Sequence, residues 1–498
     1  MSAVAYSGKW RIKPSGQLPI FLRFVINSSF TETVAKKAKI KTVLRNRTYL
    51  NHMMYWKATE YNKFEEEIMN HLKKDDQWFE GYYKQELDKS EKLYKQGLQF
   101  KKTDWTKKTN KELKKILTNL LIEYRFSCGP WYAQYPLDEY FETTIEARLG
   151  KYLSPHDHNF RNYVLIFTDP MAATEVSQER LNMVLMLKDF VSKRENLDKP
   201  SKYVQARINK HLAKYAYINR GLATSHPYNF NDIINRLKEM KKLINEGQTI
   251  KEMIYNCSAQ KVKDDFSKAL KRIKPDSDFR KIINQARKHS YMRNRRVEAF
   301  ISADYGASFM YQEIARRSKF KSDWIMEVST DEMIASLAGK KLPSNFEMKK
   351  RLNNYAMITR NAKTKLISDK KEIKKLEKIY FVVATSSEEI KGRVACTGGT
   401  IKGKAKVCLD KKEIGKVKKG DILVAQFTTP DFIQAMEKAA AVIADQGGVS
   451  SHAAIVSREL GVPCIIDTKN ATRIIKDNDL VEINAKTGLI KILKRYGK

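Results

Sequence analysis

The stretch from Ala440 to Pro463 admits few folds. Ala440 to Ala444 is an apolar strand-like run, Gly447 and Gly448 let the backbone turn sharply, and Ser450 and Ser451 offer helix caps. A short helical pattern then runs from about Ser451 to Leu460, and Gly461 followed by Pro463 stops it. Strand, glycine turn and helix in that order place His452 in the first turn of the helix. A helix N-terminus carries partial positive charge and unpaired N–H groups, so it attracts anions and disfavours imidazolium. A neutral imidazole beside an anion site suits a histidine that accepts, carries and releases a phosphoryl group. The plainer alternative is a histidine that only packs or hydrogen-bonds at a helix start.

The run Gly447-Gly448-Val449-Ser450-Ser451-His452-Ala453-Ala454-Ile455-Val456-Ser457-Arg458-Glu459-Leu460-Gly461-Val462-Pro463 resembles a family signature. That signature, approximately Gly-Gly-x-Thr-Ser/Cys-His-Ala-Ala-Ile-x-Ala-Arg-x-x-Gly-x-Pro, marks the swivelling phosphohistidine domain of phosphoenolpyruvate-utilising enzymes. Phosphoenolpyruvate synthase, pyruvate phosphate dikinase, rifampicin phosphotransferase and the phosphotransferase-system enzyme I share it. The resemblance implies that His452 is the phosphorylated residue, with Gly447, Gly448, Ser450 and Ser451 around the phosphate. Ser450 stands where the family has Thr and keeps the hydroxyl; it is read as the N-cap, and Ser451 as a donor to phosphate oxygens. Arg458, nearly two turns on, is read as a dipole or surface residue.

An earlier segment, Gln426-Phe427-Thr428-Thr429-Pro430-Asp431, is a second helix start. In the resembled family a similar segment lies beside the phosphohistidine loop, so Thr429 is either a cap alone or also a phosphate contact. Asp467 occupies a position where the family usually has glycine. Its carboxylate either adjusts the local charge or faces solvent.

The rest of the chain divides by pattern. Residues 1–65 are partly strand-like: Ile20, Leu22, Phe24 and Ile26 share one parity, and a helical pattern starts near Thr48. Residues 66–380 read as a large all-α domain, with capping boxes at Thr109/Glu112 and Ser329/Glu332. Helices are expected near 73–98, 136–150, 174–195, 202–216, 229–245, 260–273, 277–318 and 345–378. After a connector at 381–389, residues 390–498 alternate short Val/Ile-rich strands with short helices. The expected fold is therefore multidomain, α and α/β: a large all-α N-terminal domain followed by a β/β/α swivelling phosphohistidine domain. The helical part resembles, more weakly, the middle segment of short homologues of phosphoenolpyruvate synthase, at Asp75-Asp-Gln-Trp-Phe-Glu80, Thr109–Leu113 and Ser329–Met333.

Three other groups bear inspection. Cys128-Gly-Pro-Trp-Tyr-Ala-Gln-Tyr-Pro136 is aromatic-dense and either lines a pocket or packs a core. His156-Asp157-His158 is an incomplete metal set or a solvated turn. His211, Arg220 and His226 either bind an anion or lie scattered on the surface.

Charge and absences bound the function. The net charge of +37 over 498 residues is compatible with nucleic acid, anionic surfaces or phosphorylated small molecules. Lysines interleaved with glutamates, as in Lys370-Lys-Glu-Ile-Lys-Lys-Leu-Glu-Lys378, argue for solvated helix faces and against a nucleic-acid partner. Five dispersed cysteines without a Cys-x-x-Cys pair argue against a disulfide framework and a zinc site, and a cytoplasmic location without a membrane span is the expectation. No P-loop motif occurs. Only 46 residues follow His452, too few for a barrel of about 250 residues, and the N-terminal part lacks the strand-rich pattern of an ATP-grasp domain. The sequence thus implies a short family form with no metal site and no cofactor of its own. It is a phosphotransferase component in which Mg and ATP or phosphoenolpyruvate serve the complete reaction. A separate ATP-grasp or phosphoenolpyruvate-binding partner would load His452, and a small-molecule acceptor would unload it. The alternative is a non-catalytic regulatory or scaffold subunit that binds phosphorylated ligands or acidic partners.

Overall fold

In the computed structural model two long helices, Asp76–Lys101 and Ser277–Arg317, form the axis of the helical body. The structure describes the chain apart from residues 1–4, 8–9, 15–18, 30–34, 36–39, 51–52, 129–130, 155–156, 158, 221–225, 246, 362, 381–388, 410, 429–431, 448–450 and 497–498. The two helices cross through glycine. A Cβ on Gly306 would lie 2.2 Å from the carbonyl oxygen of Gly97, and one on Gly97 would lie 2.6 Å from the carbonyl of Ser302. Backbone meets backbone there, so neither position tolerates a side chain without displacing the partner helix. Around this axis pack the shorter helices, including Asn110–Cys128, Trp131–Leu149, Glu175–Ser192 and Phe230–Asn245. Both expected capping boxes are present. Thr109 N–H donates to Glu112 (2.8 Å) while Glu112 N–H donates to Thr109 Oγ1 (3.2 Å), and Ser329 and Glu332 do the same.

The helical body also carries a six-stranded antiparallel sheet, in the order Ala5–Ser7, Trp10–Pro14, Met53–Lys57, Asn46–Leu50, Ala356–Arg360, Lys363–Ile367. Two local expectations are corrected by it. The helix expected over 345–378 is instead a helix Asn345–Asn353, a hairpin over 356–367 and a helix Lys370–Tyr380. Thr48, expected at a helix start, lies in the strand that pairs with Ala356–Arg360. The central strands are buried on both faces: Tyr49, Met54, Trp56 and Met357 meet the main core, while Leu50, Tyr55 and Ala356 meet Ile373 and Tyr380.

Ile20–Ser29 is a helix and not the strand its parity suggested. Its apolar residues go two ways: Ile20 and Phe24 into one core, Phe21, Leu22 and Val25 into the next. An element buried on both sides and wedged between two cores cannot be told from a strand by periodicity. Among the described residues no helix is long and apolar enough to cross a membrane.

The C-terminal body is an eight-stranded mixed sheet, in the order Glu389–Lys391, Leu489–Lys494, Leu480–Asn484, Thr400–Cys408, Ile422–Ala425, Ala441–Ala444, Cys464–Ile466, Arg393–Cys396. The strands Thr400–Cys408 through Cys464–Ile466 are parallel, the remaining pairs antiparallel. The strands Ile422–Ala425, Ala441–Ala444 and Cys464–Ile466 are buried on both faces, which is why they read as unbroken apolar runs, whereas Thr400–Cys408 at the margin of the parallel set alternates exposed and partly buried residues over its first half. Leu423, Ala425, Val442, Ala444, Cys464 and Ile466 pack under the helices Ile433–Lys438 and His452–Leu460. Ile422, Val424, Ala441, Ile443 and Ile465 pack on the opposite side with Ile474 and Ile483. A large helical N-terminal region followed by a C-terminal sheet domain is the architecture expected from the sequence.

Candidate functional site: the His452 loop at the carboxyl edge of the parallel strands

Two loops leave the same edge of the sheet side by side. Ala425 and Ala444 are register partners on adjacent parallel strands. Beyond them Asp445 N–H donates to the carbonyl of Ala425 (3.0 Å), and Gln446 N–H to the carbonyl of Gln426 (2.9 Å). The segment that leads to Thr429 therefore starts against the segment that leads to His452. In parallel α/β sheets the carboxyl ends of the strands are where ligands bind, because the strand-to-helix loops and the helix N-termini converge there.

Gly447 makes the turn. Its φ is +133°, and a Cβ there would lie 2.5 Å from Ser451 Oγ and 2.8 Å from Ser451 Cβ. The Ser451 side chain thus occupies the space that any other residue at 447 would need. Ser451 Oγ accepts the N–H of Ala454 at 3.4 Å, which makes Ser451 the N-cap and His452 the first helical residue. The sequence reading assigned the cap to Ser450; the structure shifts it by one residue. A hydroxyl that accepts through a lone pair keeps its proton, so capping leaves Ser451 able to donate to an anion.

The helix ends as its sequence requires. Gly461 is left-handed (φ +67°) and Val462 N–H donates to the carbonyl of Ser457 at 2.9 Å, the longer bond of a Schellman motif. Ala453, Ala454 and Val456 are buried against Phe432, Ala435 and Met436, so the helix is fixed to the sheet by its apolar face.

Beneath the loop lies a carboxylate that the sequence reading missed. Asp445, 4 % exposed, accepts the hydroxyl of Thr468 (2.8 Å), the N–H of Thr472 (3.2 Å) and the hydroxyl of Thr472. Burial pushes its carboxyl above the usual carboxylate range, against the lowering effect of these hydrogen bonds. Its donors all come from the 468–472 segment, so Asp445 ties the strand end to the neighbouring loop. Asp467, in the left-handed region at φ +58°, is half-buried and sits near Lys469, Arg393 and Glu142 rather than facing open solvent. An Asp, a polar turn and a following Thr were the only signals available, and each occurs in many loops.

Gly447, Ser451 and the backbone of His452 come together at this edge. Thr429, Gly448 and Ser450 lie outside the described residues, as do His156 and His158. The other histidine group disperses. His211 is buried between Asn182 (2.8 Å) and Glu179 (3.1 Å), Arg220 pairs with Asp304 (3.2 Å), and His226 is exposed, 3.8 Å from Asp232. The aromatic segment serves the core: Tyr132 and Ala133 are buried, and Tyr132 Oη donates to the carbonyl of Ile26 at 3.1 Å. Among the described residues no three His, Cys, Asp or Glu side chains are grouped to hold a metal ion.

Residues 417–488 match the family model described as the PEP-utilising enzyme, mobile domain. The C-terminal body is a mobile domain of the PEP-utilising enzymes. A probable phosphoenolpyruvate synthase of Archaeoglobus fulgidus is 48 % identical over 109 residues, 21 % of this chain and 14 % of that protein. The phosphoenolpyruvate synthase of Pyrococcus furiosus is 36 % identical over 175 residues, 34 % of this chain and 21 % of the relative. A probable phosphoenolpyruvate synthase of Methanothermobacter thermautotrophicus is 43 % identical over 113 residues, 22 % and 16 % respectively. The chain thus spans about a fifth or less of the length of these curated relatives.

Proposed function

We propose that His452 is a phosphoryl carrier. The observation that supports this reading most strongly is the cap-and-turn geometry. A glycine that only a missing Cβ permits, a serine cap with a spare proton and a helix N-terminus converge at residue 452, on the ligand-binding edge of the sheet. In the loading step the imidazole nitrogen attacks phosphorus in line. A P–N bond forms, the donor's P–O bond breaks, and the leaving oxygen departs with the electron pair. Negative charge on the transferring oxygens is met by the helix N-terminal N–H groups and the Ser451 hydroxyl. In the unloading step an acceptor nucleophile takes the same phosphoryl group and returns the neutral imidazole.

ATP or phosphoenolpyruvate is the donor class that the family resemblance supports, delivered by a separate ATP-grasp or phosphoenolpyruvate-binding protein to a small-molecule acceptor. A divalent ion is proposed to accompany the phosphoryl donor, as the family resemblance implies. The reading is tested by incubating wild type and His452→Ala with radioactive phosphate in native cell extract. Acid-labile, alkali-stable label on wild type and none on the variant supports it; equal labelling of both rejects it. A regulatory or scaffold role would show as no label with any donor, together with a stably co-purifying partner.

A further inference from the structure

The edge of the mobile domain that carries the His452 loop is also the edge that meets the helical body. Arg393 is the register partner of Ile466 in the antiparallel pair that closes the sheet. Its guanidinium reaches out of the mobile domain to Glu142 (2.9 Å) and Glu146 (3.0 Å) on helix Trp131–Leu149. These two glutamates are four residues apart and share one helix face, so a single guanidinium engages both. Glu146 is also paired with Arg161. Asp467 follows Ile466 directly and lies within electrostatic reach of Arg393, Lys469 and Glu142. The His452 loop borders this cluster, because a Cβ on Gly447 would come within 3.9 Å of Ile466 Cβ. Elsewhere along the boundary Arg473 of the mobile domain lies near Tyr55 of the N-terminal sheet.

The sign of this surface is informative. The helical body offers the His452 edge two carboxylates, and the mobile domain adds a third, against Arg393, Lys469 and the Arg161 that already pairs with Glu146, so the cluster holds no surplus of cations. A station that receives or donates a phosphoryl group needs surplus cations around the transferring oxygens. A phosphorylated side chain brings between one and two additional negative charges, and it would bring them beside three carboxylates.

We propose that helix Trp131–Leu149 is a parking surface for the unphosphorylated mobile domain, latched by Arg393 to Glu142 and Glu146 and released when His452 is phosphorylated. The release half rests on the carrier reading of His452; the latch half does not. The empty carrier is held with the Arg393 edge of its domain against the helical body, loading tips the balanced cluster to net negative, and the domain leaves for its acceptor. The only covalent change is the P–N bond formed at His452 as the donor's bond to phosphorus breaks. The helical body then has a regulatory task, and Asp467, in a position where the family usually has glycine, contributes to it.

Full-length protein is examined by small-angle scattering and by amide exchange of the Trp131–Leu149 segment. Arg393→Glu should enlarge the radius of gyration and speed exchange there roughly three- to tenfold, the range that two partly exposed ion pairs supply. Adding Glu142→Lys and Glu146→Lys to Arg393→Glu should restore the compact form. Unchanged scattering and exchange in Arg393→Glu would overturn the latch. Chemical loading uses potassium phosphoramidate, which transfers its phosphoryl group to imidazole and releases ammonia. Wild type should expand on treatment and His452→Ala should not. Label mapped to His452 without expansion rejects release while leaving the carrier reading intact. Failure of His452 to accept label, with Arg393→Glu still expanding, rejects the carrier reading and with it the release half, and leaves the latch standing.

Discussion

Replacing Gly447 by alanine should disable the His452 loop while leaving the sheet beneath it folded. The added Cβ meets Ser451 Oγ at 2.5 Å and Ser451 Cβ at 2.8 Å, well inside contact distance, so the Ser451 side chain must leave its position. The same substitution puts a Cβ on a residue at φ +133°, where strain of order 1–3 kcal/mol is expected. Displacing Ser451 also removes the cap from Ala454 N–H, worth about 1 kcal/mol. The two effects sum to about 2–4 kcal/mol, and a tenfold change corresponds to 1.36 kcal/mol. Amide protection in helix His452–Leu460, measured by native-state hydrogen exchange, should therefore fall by about 30- to 1,000-fold. Amides of the strand Ile422–Ala425 should keep their protection, because its core contacts are untouched. Phosphorylation of the variant should fall in parallel with helix protection. A Gly447→Ala protein with protection within about threefold of wild type would refute the argument that glycine is required here by the packing of Ser451.

Ser451→Asp separates capping from chemistry. Aspartate caps a helix about as well as serine, so helix protection should be retained, but its carboxylate would repel a phosphoryl group and labelling should drop sharply. Gly306→Ala should destabilise the helical body by at least about 2 kcal/mol in chemical denaturation, since its Cβ would lie 2.2 Å from the carbonyl oxygen of Gly97. His289 is buried, hydrogen-bonded to Asp138 (2.7 Å), and desolvation lowers its pKa below the usual value near 6.5. The unfolded chain then binds the proton more readily, so this contribution to stability is present above pH ~6.5 and is lost as pH falls toward the depressed native value. His289→Gln should flatten that acid limb of the pH–stability profile. Asp445 has the opposite sign. Its carboxyl is raised by burial, so its contribution is present below pH ~3.9 and is lost as pH climbs through the raised native value. Asp445→Asn should remove that component from the pH dependence of mobile-domain exchange.

The parts legible in the sequence are those whose causes are local. The capping boxes at Thr109/Glu112 and Ser329/Glu332, the Gly461 stop and the apolar strand at Ala441–Ala444 all follow from a few neighbouring residues. What escaped depends on partners far along the chain. Asn46–Leu50 pairs on one side with the nearby Met53–Lys57 but on the other with Ala356–Arg360 from some 300 residues away, and neither segment alone has an alternating pattern strong enough to show that central position in a sheet. Ile20–Ser29 hides its helix because both of its sides are buried. The site divides in the same way. Gly447, Ser451 and His452 lie on one short segment and could be read together. The Asp445–Thr468–Thr472 tie and the Arg393–Glu142/Glu146 contact are assembled by the sheet and by the meeting of two bodies.

The central claim is that a single nitrogen-bound phosphoryl group travels on residue 452. Mass-spectrometric mapping of protein labelled in native extract, under conditions that preserve phosphoramidate bonds, tests it directly. One acid-labile phosphate is expected, located on His452 and absent from His452→Ala. An acid-stable phosphate, or a label that maps elsewhere and survives in His452→Ala, would contradict it.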